Sequence, residues 1–205
     1  MNKIKKNTKW IILGLTTSIF IIILLFLFEN RISFLDNNIY HIISKWISKP
    51  MTNLALGITF FGSATAIIII AIITSIVLAI KKKKYWKYVG INLIIVALCN
   101  QVIKFLVARP RPEGYRLTLE NGYSFPSGHR MISAGFYGFF IYLIYKKVKN
   151  KYVKWGTIIL LSLLVTLIGI SRIYLGVHFA SDVLAGLCFS ISYLIFFINL
   201  IKEKI

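Results

Sequence analysis

The sequence predicts an all-α protein that crosses a membrane six times, and three observations lead there. Hydrophobic residues make up 58% of the 205 and charged residues only 15%, against roughly 25% charged in a soluble domain. Apolar runs long enough to cross the hydrocarbon core, which takes about 20 helical residues, recur along the chain. Between them the lysines gather in alternate loops. A bilayer core leaves no backbone polar group to water, so such runs are read as helices.

The first span, about 10–28, follows the basic start MNKIKKNTK. The ENRISFLDNN segment after it has no small-residue cleavage site, so it reads as an uncleaved anchor helix and not a signal peptide. The segment 29–50 carries HIISKWISK, which suits either an amphipathic helix at the interface or an ordinary loop. The apolar block 51–80 is too long for one untilted span. Its first third is rich in Gly, Ser and Thr, which places the second span at about 59–80. The remaining spans are expected at 88–108, 131–145, 155–170 and 183–201, the fourth and fifth borrowing residues from their flanks. With no linker, repeat or low-complexity tract, residues 1–205 read as one domain.

Lysine placement orients the stack. Lys3, Lys5, Lys6 and Lys9 precede span one, and Lys81–Lys84 with Lys87 separate spans two and three. Lys146, Lys147, Lys149, Lys151 and Lys154 separate four and five, and Lys202 and Lys204 follow six. By parity all four clusters share one side, which the positive-inside rule makes cytoplasmic together with both termini. The formal net charge of +19 is therefore topological, with contacts to anionic membrane lipids, and nucleic acid is not an expected partner. The opposite loops hold Arg31, Lys45, Lys49, Arg109, Arg111, Arg116, Arg130 and Arg172, and the cytoplasmic clusters contain no arginine. A planar guanidinium binds phosphate or carboxylate oxygens at two points.

The same side carries three segments with chemistry in them. KFLVARPRP places Lys104 seven residues, two helical turns, before Arg111, and Pro110 and Pro112 stop the helix there. A lysine within a span must snorkel or pair, so Lys104 alone would also suit a snorkelling role. Asn100 and Gln101, one turn earlier, suit helix–helix hydrogen bonds. FPSGHR, 125–130, sets Ser127 and Gly128 at a helix start, where free N–H groups and the helix dipole favour an anion, beside His129, able to exchange a proton near neutral pH. Taken alone it is also an ordinary cap. In SRIYLGVHFASD, 171–182, His178 and Asp182 stand four apart on one helical face, where a carboxylate can hold an imidazole in one tautomer and free its other nitrogen as a nucleophile.

The six acids (Glu29, Asp36, Glu113, Glu120, Asp182 and Glu203) and three histidines are too few and too scattered to complete a metal site, and Cys99 and Cys188 lie in apolar runs without metal-ligand spacing. No metal or other cofactor is expected. The inventory suits phosphoryl transfer without a metal, in which cations neutralise the oxygens, one histidine attacks and another protonates the leaving oxygen.

Together Lys104-FLVARP-Arg111-Pro112, Pro126-Ser127-Gly128-His129 and Ser171-Arg172-IYLGV-His178-FAS-Asp182 resemble the three signature motifs of the type 2 phosphatidic acid phosphatases. That superfamily includes glucose-6-phosphatases and vanadium haloperoxidases. The resemblance implies that His178 forms a phosphohistidine, that Asp182 orients it, and that His129 is the acid for the leaving group. It implies that Lys104, Arg111, Ser127, Gly128 and Arg172 hold the phosphate. Arg109, Arg116 and Arg130 match no motif position. By resemblance to the bacterial phosphatidylglycerophosphatase B and undecaprenyl-diphosphatase types, the chain is expected in the cell membrane. Its site would face outward and its substrate would be a lipid phosphate: phosphatidylglycerophosphate, phosphatidate or undecaprenyl diphosphate. Two other readings remain at this stage: a lipid-binding or lipid-moving protein without turnover, and a haloperoxidase relative. No GxxxG pairing is clear enough to define a dimer interface.

Overall fold

The computed structural model describes residues 2–114 and 116–204, with side chains from Asn7 onward, so the side chains of Lys3, Lys5 and Lys6 lie outside the described residues. The described residues form helices and loops without a strand: α1 (Asn2–Phe28), α2 (Ser33–Ser44), α3 (Lys49–Phe60), α4 (Ala64–Ile80), α5 (Trp86–Val107), α6 (Gly128–Lys147), α7 (Lys151–Tyr174) and α8 (Ala180–Ile201), with a 3₁₀ turn at Lys202–Lys204. By length and composition α1, α5, α7 and α8 can each cross a membrane, and α3 with α4 forms a fifth, bent candidate. Against the expected six, the described residues thus give four unbroken candidates and one bent pair, and α6, near the expected fourth position, does not qualify. Helix α6 opens on His129 and Arg130 and closes on Lys146 and Lys147, which makes it too polar to count by composition. It lies in the middle of the bundle, where neighbouring helices cover most of its faces.

The expected second span is divided. Ser48 caps α3, its hydroxyl accepting from Met51 N at 3.4 Å, and Ser63 caps α4, accepting from Ala66 N at 3.2 Å. The two axes differ by 42°. A break at this depth needs its freed backbone groups satisfied, and Tyr137 of α6 donates to Phe61 O at 2.8 Å. Gly62 in the break lets α7 approach, since a Cβ there would stand 2.6 Å from Ile168 Cγ2. The HIISKWISK stretch is divided too, between the end of α2, a turn and the start of α3.

Helix α6 carries the core. Phe136 and Phe139 are fully buried, and Tyr88, Val165, Leu194 and Phe197 belong to the same cluster. Gly135 and Gly138 bring its backbone close to neighbours, the small-residue device of membrane helix packing. A Cβ on Gly135 would meet Val96 Cγ2 of α5 at 2.8 Å, and one on Gly138 would meet Leu194 Cδ1 of α8 at 2.5 Å. Asn92 of α5 donates to Gly135 O at 3.1 Å. Helix α1 joins from outside, with Thr16 and Ser192 sharing a hydrogen bond at 2.7 Å and Phe20 packed on Phe125 and Phe189.

Two chain features aim loops at one end of the bundle. Helix α5 stops at Ala108, which takes φ 48° and donates to Lys104 O, and Pro110 and Pro112 keep the following chain out of helix. The loop 109–127 is then stitched to the α7–α8 connection, with Leu117 N donating to Leu175 O at 3.0 Å, and to the first turn of α8, with Ser127 N donating to Asp182 O at 3.1 Å. Gly135→Ala is expected to lower the thermal unfolding midpoint in detergent. Overpacking costs about 1–3 kcal/mol and the helix propensity gained returns only about 0.5–1. Val96, branched at Cβ, has little room to turn away.

Candidate active site

The α7–α8 connection places His178 and Asp182. Asp182, on the first turn of α8, accepts the Phe179 N–H at 2.9 Å, a helix-capping contact that also sets the carboxylate at the positive end of the helix. Its Oδ2 lies 3.6 Å from His178 Nδ1, too far for a formed hydrogen bond. Ser124 stands between the two: its hydroxyl donates to Asp182 Oδ2 and lies 3.4 Å from His178 Nδ1. On the other edge of the ring, Arg111 Nη1 is 3.2 Å from Nε2. A guanidinium only donates, so Nε2 accepts and the ring proton sits on Nδ1, towards Ser124 and Asp182. Burial pushes the imidazole down to about 4; Asp182 opposes this and Arg111 adds to it. His178 is therefore neutral at pH 7, with Nε2 as its lone-pair nitrogen.

The His178 ring borders a cavity of about 410 Å³. Of the sequence-predicted residues, Lys104, Arg111, Gly128, His129 and His178 line it, joined by Asn100, Gln101, Glu120 and Tyr123. Ser127, Arg172 and Asp182 stand behind this lining. Arg111 is fixed by three carbonyls, Gly122 O, Val177 O and Asn121 O, each at 2.9 Å. Lys104, on the last turn of α5, donates to Tyr123 O. Arg172 is 1% exposed and donates to Thr59 Oγ1 at 2.9 Å and to Glu120. The Arg172 Nε and Ser127 Oγ atoms are buried without a partner.

Four residues that sequence reasoning did not assign take part. Glu120 joins Arg172 through one oxygen and stands 3.9 Å from Arg111 Nη2 through the other. Burial alone would raise its carboxyl; the charge and hydrogen bond of Arg172, with His129 and Arg111, hold it below the usual carboxylate range. A carboxylate thus bridges two arginines at the cavity. Ser124 is the second. Arg109 is the third, donating to Asp182 Oδ1 at 2.6 Å, Ser181 Oγ at 2.8 Å and Asp36 Oδ2 at 2.8 Å, with its guanidinium 3.9 Å above the Phe179 ring. Asp36 of α2 is the fourth, accepting from Ser181 N and Ser181 Oγ at 2.8 Å each. Although they are only two residues apart, Arg109 turns to Asp182, Ser181 and Asp36, while Arg111 turns to His178 and the carbonyls of Asn121, Gly122 and Val177. The available signal was scarcity: Asp36 and Glu120 are two of only six acids in the chain. Arg116 folds back on Pro112 O at 2.6 Å, and Arg130 reaches Val165 O inside the bundle.

Comparison with known proteins gives this geometry a family. A model described as the PAP2 superfamily matches residues 84–205. This chain belongs to the PAP2 superfamily. Phosphatidylglycerophosphatase B of Bacillus subtilis (strain 168) is 35% identical over 159 residues, 75% of this chain and 73% of that protein. The crystal structure of a transmembrane PAP2 type phosphatidylglycerolphosphate phosphatase from Bacillus subtilis superposes with a TM-score of 0.86 at 27% identity, covering 94% of this chain and 96% of that one. Aquifex aeolicus LpxE shares the fold, with a TM-score of 0.63 at 23% identity over 80% of this chain and 95% of its own. The PAP2 chain is a multi-pass membrane protein, as its apolar helices and the transmembrane relative show. Asp36, Thr59 and Gly62 lie outside the stretch that the PAP2 model matches, yet they pack against it.

Asp36→Ala is expected to destabilise the fold by about 3–5 kcal/mol, because it leaves a buried guanidinium short of a carboxylate. Thermal unfolding in detergent measures this, and a midpoint at the parent value would mean that Asp182 alone satisfies Arg109.

Proposed function

We propose that this chain is an integral membrane lipid phosphatase that cleaves a phosphomonoester or diphosphate through a phosphohistidine on His178, without a metal. The observation that carries the reading is His178, held with its Nδ1 edge towards Ser124 and Asp182 and its Nε2 beside Arg111, on the wall of a cavity that Lys104, Arg111 and His129 also line. Binding alone would need the cations and not a nucleophile with an orienting acid. Nε2 attacks phosphorus as the bond to the leaving oxygen breaks, and His129 supplies the proton that oxygen takes up. His129 then accepts a proton from water, whose oxygen attacks phosphorus; the P–N bond breaks and phosphate leaves. Lys104, Arg111 and Arg172, with Ser127 Oγ and Gly128 N, neutralise the phosphate oxygens. Ser127 Oγ and Arg172 Nε are two of the three buried donors without a partner among the described residues, the third being Arg130 Nε inside the bundle, and they are the kind of group that an incoming oxygen satisfies.

The name of the Bacillus subtilis relative favours phosphatidylglycerophosphate as substrate, with phosphatidate and undecaprenyl diphosphate as the other candidates. The lysine-rich helix ends support a site on the outer face of the cell membrane, at the opposite end of α6 and α8. Phe105, Gln101 and Ile132 border the cavity, which supports lateral access from the outer leaflet.

The test is phosphate release from phosphatidylglycerophosphate and undecaprenyl diphosphate by purified protein in excess EDTA. Release is expected from at least one of them and is lost in His178→Ala, while a variant retaining most activity would remove His178 as the nucleophile. Glu120→Gln is expected to lower KM with kcat little changed, since the substrate phosphate no longer has to displace a carboxylate from Arg172 and Arg111. A raised KM would show instead that Glu120 positions Arg172.

A further inference from the structure

At the end of the bundle away from His178, a second cavity of about 260 Å³ opens between α1, α6 and α8. Its walls are Lys9 of α1, Tyr142 and Lys146 of α6, Ile195, Ile198 and Asn199 of α8, and Lys202 of the terminal turn. His129 and Lys146 lie near opposite ends of α6 (Gly128–Lys147), so at 1.5 Å per residue roughly 25 Å of helix separates them. The two cavities are distinct sites.

Three ammonium groups from three elements converge here, and among the described residues no carboxylate lines the cavity. Lys9 Nζ and Lys202 Nζ each donate to the same Asn199 Oδ1 at 3.1 Å. A neutral amide oxygen satisfies one hydrogen-bonding direction of each ammonium and compensates neither charge, while the ammoniums repel each other across it. Lys146 adds a third like charge to the same walls. Lys87 and Lys154 at the same end do not border this cavity. The rest of the wall is apolar, supplied by Ile195, Ile198 and the Tyr142 ring. Trp10, beside Lys9 with the ammonium 4.8 Å from its ring, is the residue type that settles at headgroup depth.

A cationic rim over an apolar wall between membrane helices fits one ligand chemistry, a phosphate ester with hydrocarbon attached. We propose that this cavity binds the headgroup of an anionic glycerophospholipid of the cytoplasmic leaflet. The phosphodiester lies among Lys9, Lys146 and Lys202, and the acyl chains follow Ile195 and Ile198. Basic pockets between helices on this side of a membrane recognise such headgroups. The bound lipid ties α1, which otherwise packs chiefly on α8, to α6 and to the end of α8.

The test titrates the full-length protein, purified in a neutral detergent, with phosphatidylglycerol, phosphatidylcholine or inorganic phosphate and follows the thermal midpoint. Phosphatidylglycerol has no terminal phosphate, so the result does not depend on turnover at His178. A ligand that binds only the folded state raises the midpoint as its concentration passes Kd. The expected outcome is a rise with phosphatidylglycerol alone, lost in Lys9→Gln/Lys146→Gln/Lys202→Gln and kept in Lys81→Gln/Lys83→Gln/Lys84→Gln, which removes the same charge elsewhere. Equal loss in both triple variants, or an equal rise with inorganic phosphate, overturns the proposal; the latter means a simple ion site. If the first triple variant does not fold, native mass spectrometry of Lys146→Gln decides. One fewer retained phosphatidylglycerol than in the parent supports the site, and unchanged stoichiometry and affinity overturn it.

Discussion

The Asp182 carboxylate is the point on which the rest of the site depends. Taking a carboxylate out of water costs several kcal/mol unless charges and donors compensate it, and this one is completely buried. Its compensation comes from four directions: the Phe179 N–H of its own helix, the Ser124 hydroxyl, the Arg109 guanidinium and the nearby imidazole of His178. Each partner belongs to a different stretch of chain or turns a different way. Satisfying the one charge therefore fixes the start of α8, the end of the loop 109–127 and, through Arg109 and Asp36, helix α2. The imidazole is oriented as a by-product of solving that desolvation problem.

A second constraint comes from the scaffold. Helix α6 must carry His129 at one end and still lie among α5, α7 and α8, which is why its faces alternate aromatic residues with glycines. The break between α3 and α4 serves the same end. It brings Thr59 to Arg172 and leaves Gly62 small enough for Ile168, with the His129 ring also close by. The site is thus assembled from helix ends and a break in a helix, the places in a membrane protein where backbone and side-chain polarity are tolerated.

What could be read from the sequence followed from local rules. The apolar runs, the proline stop after Lys104 and the i, i+4 spacing of His178 and Asp182 need no knowledge of tertiary contacts, and the structure brings those segments to one end of the bundle. The break at Gly62 was hidden because Gly, Ser and Thr in an apolar run look alike whether the helix bends or merely weakens. Arg109 was indistinguishable from Arg111 by type, and only the tertiary partners each meets, Asp182 and Asp36 for one and His178 for the other, separate their roles. Asp36 and Glu120 act across 73 and 52 residues of chain, a kind of pairing that no spacing within a segment reveals.

The bridge between Glu120 and the two arginines has a consequence for how a cycle would end. Glu120 is tethered to the loop that also carries Arg111, so its carboxylate is present at a high effective concentration that dilution cannot reduce. A lipid phosphate brings hydrocarbon contacts that help it displace the carboxylate. The inorganic phosphate left after hydrolysis has none, and it faces the same tethered rival with only its oxygens to hold it. On the proposed reaction the carboxylate therefore works as a built-in product ejector, and it sets a lower limit on the free phosphate that can occupy the pocket.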